Sequence, residues 1–89
     1  MEILQIIIQD RTVLLFTKNP EEDVKGLKEA YTNDDATSLF GFSLGYETPE
    51  LTEYTFLGNK HKCISLWFDN EDIPSFFTDF TPPSIWKLN

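Results

Sequence analysis

The stretch LTEYTFLGNKHKCISLWF, residues 51–68, decides the fold. Two runs rich in Thr, Tyr, Phe, Ile and Trp flank a Gly-Asn pair, the pattern of two strands joined by a turn. Strands are expected at 51–57 and 62–68, around a loop at Gly58-Asn59-Lys60-His61. With Leu57 opposite Lys62, Phe56 faces Cys63, Tyr54 faces Ser65 and Thr52 faces Trp67 on one side of the ribbon. Leu51 with Phe68, Glu53 with Leu66 and Thr55 with Ile64 form the other. Both sides are partly apolar, so one packs on helices and the other also needs cover.

Toward the N-terminus, residues 3–9 and 13–17 read as two more strands, joined by Gln9-Asp10-Arg11-Thr12 into a hairpin. Neither alternates cleanly, which implies burial on both faces. Asn19-Pro20-Glu21-Glu22 then opens a helix: Asn19 suits the cap and Pro20 the first turn. Val24, Leu27 and Tyr31 follow at helical spacing. Glu21, Glu22 and Asp23 precede Lys25 and Lys28, an order that suits the helix dipole. Gly26 weakens the helix by roughly 1 kcal/mol relative to Ala, so a short helix is expected, ended by Asn33-Asp34-Asp35.

Residues 37–46 show the clearest alternation in the chain, with Phe40, Phe42, Leu44 and Tyr46 against Leu39, Gly41, Ser43 and Gly45. They are expected to form a further strand. Its small-residue face points to close packing, a bend or a groove. Asp72-Ile73-Pro74 opens a last short helix carrying Ile73, Phe76, Phe77 and Phe80 as an apolar stripe. Thr81-Pro82-Pro83 stops it. The apolar tail Ser84-Ile85-Trp86-Lys87-Leu88 either docks on its own sheet or is exchanged with a neighbouring chain.

The expected architecture is a single α+β domain over residues 1–89, in the order β-β-α-β-β-β-α plus tail. It has a mainly antiparallel sheet of about five strands and helices packed on one face. A hydrophobic fraction of 40% and an aromatic fraction of 15% are ample for one core. One cysteine excludes a disulfide framework and points to a reducing, cytoplasmic compartment. The apolar run at the N-terminus is too short to span a membrane.

The net charge is −8, from 15 acidic and 7 basic residues. Phosphate contacts dominate nucleic-acid affinity, so direct nucleic-acid or anionic-membrane binding is disfavoured. A protein partner with a basic surface is the complementary expectation. Since Leu51 is expected opposite Phe68, Glu47, Glu50, Asp69, Glu71 and Asp72 should meet at the open end of the hairpin. Lys60, His61 and Lys62 lie at the other end. Crowded carboxylates repel and favour a nearby cation. Solvated loop acids and helix caps are the plainer account of the same residues.

No catalytic, cofactor or metal signature is legible. The segment Asp69-Asn70-Glu71-Asp72-Ile73 fails as a calcium loop, because Pro74 stands where a glycine is needed. His61 and Cys63 share one strand face, but Lys60 and Lys62 flank the histidine, so an exposed turn His and a packed Cys are expected. Tyr54 and Trp67 are aromatic anchors of the kind interfaces use, although small cores use them too.

The expected function is therefore a non-catalytic acidic protein-binding module: a small inhibitor, immunity protein or accessory subunit. A nucleic-acid mimic that occupies a nucleic-acid-binding enzyme is a second expectation, and a small-ligand or enzymatic domain using the Gly41/Gly45 face a third. Homodimerisation is compatible with all three.

Overall fold

The computed structural model of the chain describes residues 1–69 and 72–81. It is α+β, built on a four-stranded antiparallel sheet with strand order β1-β2-β4-β3. β1 (Ile3–Gln9) and β2 (Thr12–Thr17) form the expected first hairpin, with Gln9 opposite Thr12. β3 (Glu50–Phe56) and β4 (Asn59–Trp67) form the second. The two hairpins join through β2 and β4, which pair from Thr12↔Trp67 to Leu15↔Ile64. β2 is thus interior to the sheet and apolar on both sides, which explains its unbroken Val13-Leu14-Leu15-Phe16 run.

Helix α1 (Pro20–Thr32) crosses one sheet face. Its Val24, Leu27 and Ala30 pack with Val13, Leu15, Ile64 and Leu66 of the sheet and with Phe42, Leu44, Phe68 and Phe77. Leu15 and Leu27 are fully enclosed; burial of such a side chain contributes about 1.5–3 kcal/mol. A second cluster on the opposite sheet face holds Leu14, Phe16 and Cys63, with Ile7 and Tyr54 packed against it.

Two features of α1 differ from expectation. It runs for 13 residues, with Gly26 at a position where no atom lies within 4 Å of an added Cβ. Lys25 and Lys28 are consequently mid-helix, and the last turn carries no basic residue. Asn19 occupies the cap position, but its side chain makes no capping hydrogen bond.

The expected strand at 37–46 is not one, and its loss reduces the sheet from about five strands to four. Residues Ala36–Phe40 form a short helix, α2, closed by Gly41 at φ +81°. The alternation is nonetheless real. Phe42 and Leu44 are buried in the main core while Gly41 and Ser43 face out. The period of two reports alternate burial of an extended segment that no strand pairs with, and periodicity alone does not distinguish the two.

The second hairpin keeps its expected faces but shifts register. Leu51 pairs with Ile64, Thr52 with Cys63 and Tyr54 with His61. The turn is only Leu57-Gly58, with φ of 51° and 81°. Both central residues in the left-handed region define a type I′ turn, whose twist matches the strands. Asn59, Lys60 and His61 therefore belong to β4, and His61 is half-buried rather than an exposed turn residue.

The last helix, α3 (Ser75–Thr78), is a single turn. Phe77 enters the core, whereas Phe76 stacks on Phe42 at 4.6 Å and stays partly exposed. The segment 84–88 lies outside the described residues. No helix among the described residues is long and apolar enough to cross a membrane.

Candidate functional site

The residue that organises the acidic region is Tyr46, held by three contacts at the end of β4. Its N–H donates to the Trp67 carbonyl at 2.9 Å. Its ring stands edge-on to the Trp67 indole at 6.3 Å. Its hydroxyl donates to Asp72 Oδ2 at 3.2 Å. That bond, then the Asp72 charge, some burial and the charge of Asp69, raise the phenol above its ordinary value, since each disfavours a phenolate. Tyr46 still leaves 55% of its surface in water.

Asp69 and Asp72 therefore meet around Tyr46, with Glu47 next to it in the chain. Asp69 is also drawn toward the first hairpin, where Arg11 lies at 3.6 Å and the Phe68 N–H donates to the Arg11 carbonyl. Glu50 does not join them. The register shift sets it opposite Ser65, and Lys28 of α1 approaches it at 3.8 Å. Glu71 lies outside the described residues.

The opposite, basic end of the ribbon is partly neutralised, because Lys62 binds Glu21 at the start of α1. The bond raises the Lys62 pKa and lowers that of Glu21. The expected aromatic anchors do not act together. Tyr54 meets the Phe16 ring edge-on at 5.8 Å within the second apolar cluster, while Trp67 stands at the other end of the ribbon beneath Tyr46.

A cleft of about 410 Å³ opens beside Tyr46. It is lined by Tyr31, Asp34, Thr37, Ser43, Gly45 and Tyr46, with Ala30, Ala36 and Leu44 completing it. Its wall is the C-terminal end of α1. There the Asp35 N–H donates to Ala30 and the Asp34 N–H to Tyr31, the two bonds of a Schellman closure. Asp34 holds the left-handed position of that closure, at φ 57°, where glycine is the common choice.

A helix C-terminus carries partial negative charge, which a carboxylate opposes and a cation favours. Here Asp34 and Asp35 follow a last turn without a base, and neither forms an ion pair among the described residues. Tyr31 and Asp34 were outside the expected site. The available signal was local: an acidic Asn33-Asp34-Asp35 at a helix end.

Among the described residues no group of three His, Cys, Asp or Glu side chains is placed to hold a metal ion. Burial pushes the Cys63 thiol up to about 11, which disfavours the nucleophilic thiolate. The His61 Nε2 is enclosed without a hydrogen-bond partner among the described residues. No protein-family model, curated protein or solved structure matches the chain.

Proposed function

We propose that this chain is a non-catalytic acidic module that binds the basic surface of a protein partner, as a small inhibitor, immunity protein or accessory subunit does. The observation that carries this function is the collection of Asp69 and Asp72 around the exposed Tyr46. An exposed aromatic ring beside carboxylates offers contact area and a directing field in one place. The overall charge of −8 strengthens that field at long range.

Four of the seven bases are engaged by carboxylates of the same chain, Arg11 by Asp69 among them, while Asp72 forms no ion pair among the described residues. The single thiol, Cys63, is buried and unpaired, in keeping with a reducing cytoplasmic setting.

The test compares wild-type chain with the double charge reversal Asp69→Lys/Asp72→Lys, each immobilised and exposed to lysate of the source cells at low ionic strength. Wild type should retain a set of basic proteins that the variant and high salt both lose. Equal retention by the two chains, or retained proteins no more basic than the lysate, removes the proposal.

A further inference from the structure

We infer that the cleft between the end of α1 and Tyr46 receives one arginine side chain of a protein partner; this rests on the acidic-module function and names the contact at its centre. The cleft combines three features that a guanidinium uses. Two tyrosines, Tyr31 and Tyr46, are among its lining residues, and a planar cation is attracted to the face of a phenol ring. One carboxylate, Asp34, lines it without an ion-pair partner among the described residues. The carbonyl end of α1 adds negative potential from the same side.

The volume of about 410 Å³ falls within the range of side-chain and small-molecule receptors. An anionic ligand would meet both Asp34 and the helix C-terminus with like sign. A neutral apolar ligand would desolvate Asp34 and return nothing to it. Among cations, arginine fits better than lysine. Its guanidinium is flat enough to lie on a ring, it is less strongly hydrated, and its fork of N–H donors matches a carboxylate.

The backbone of the site supports the same assignment. Asp34 combines a left-handed conformation with a charge that opposes the helix dipole. A bound cation relieves the second of these costs.

The experiment titrates the full chain with N-acetyl-arginine amide while amide chemical shifts are recorded. N-acetyl-lysine amide and the uncharged N-acetyl-citrulline amide serve as comparison probes. Arginine should produce saturable shifts confined to the amides of Tyr31, Asp34, Ser43, Gly45 and Tyr46, with a dissociation constant on the order of millimolar. Lysine should bind more weakly, and citrulline should leave these amides unmoved.

Asp34→Asn and Tyr46→Leu should each weaken arginine binding by roughly three- to fivefold, as expected for an exposed charge or ring contact. Asp79→Asn, outside the cleft, should not. The dispersion of each variant's own spectrum shows that it is folded. Equal shifts with arginine and citrulline, or arginine shifts spread over all acidic residues, overturn the assignment. If arginine fails to bind while basic proteins are still captured in an Asp69/Asp72-dependent way, the cleft is refuted and the acidic module stands. Saturable arginine binding with charge-independent capture does the reverse.

Discussion

Gly45 lies so close to the end of β4 that an added Cβ would sit 3.0 Å from the Trp67 carbonyl carbon and nearer still to its oxygen. That carbonyl already accepts the Tyr46 N–H. The absence of a side chain at position 45 is therefore what lets the loop touch the strand and present Tyr46. The positive φ of 91° at Gly45 adds a second requirement for glycine. Gly45→Ala should destabilise the chain by about 2–4 kcal/mol, from conformational cost plus backbone displacement.

Gly41 is the control for that effect. It too has a positive φ, but no atom lies within 4 Å of a Cβ built there. Gly41→Ala should cost only about 1 kcal/mol. Urea denaturation followed by tryptophan fluorescence measures both, and equal losses would show that the Trp67 contact carries no weight.

Asp34→Gly should stabilise the chain by about 0.5–1 kcal/mol. The substitution relieves a left-handed residue and a charge unfavourable to the α1 dipole, and is offset in part by greater freedom of the unfolded chain. For a chain of this size the melting temperature should rise by roughly 2–8 °C. A fall in melting temperature would mean that the Asp34 side chain supports the closure.

Leu57→Asn should also stabilise. Leu57 is 74% exposed at φ 51°, the first central position of the type I′ turn. Asn tolerates that conformation and creates an Asn-Gly pair with Gly58. The expected gain is about 1 kcal/mol, with unchanged Tyr54–His61 pairing as judged by cross-strand nuclear Overhauser effects.

Alkali should weaken the fold through Cys63. Its thiol moves from an ordinary value of 9.0 to about 11 on burial, so the folded chain holds a proton that the unfolded chain gives up first. This contribution is complete below about pH 9 and is lost as the pH rises toward 11. Tyr46, also raised, acts in the same direction. Iodoacetamide should leave Cys63 untouched at pH 8 in the folded chain and alkylate it in urea. Rapid alkylation without denaturant would contradict its burial.

The same residues show what sequence alone could tell. The Ile-rich and Val-Leu-Leu-Phe runs placed β1 and β2, and Asn19-Pro20 placed the start of α1, because each of these signals is local. The second hairpin was legible in its faces but not in its register. Leu57 is an unusual turn residue, and Asn59-Lys60 after Gly58 resembles a loop. That shift of register is what separated Glu50 from Asp69 and Asp72.

The segment around Phe42 reads as a strand from its sequence because burial and strand pairing leave the same period of two. Tyr31 and Asp34 are legible only in part: the acidic Asn33-Asp34-Asp35 run marks a helix end, but its significance depends on Gly45 and Tyr46 lining the same cleft.

β1 with β2, and β3 with β4, can zip outward from their own turns. Thr12 and Trp67, by contrast, join regions near opposite ends of the chain. Closing that seam costs the entropy of everything between them before the core repays it, which slows folding. Tyr46 rests on Trp67 just past the seam. The cleft thus waits for the slowest step of assembly, and neither hairpin alone can offer it. A partner that recognises the cleft would then bind completed molecules only, and by doing so would draw the folding equilibrium toward them.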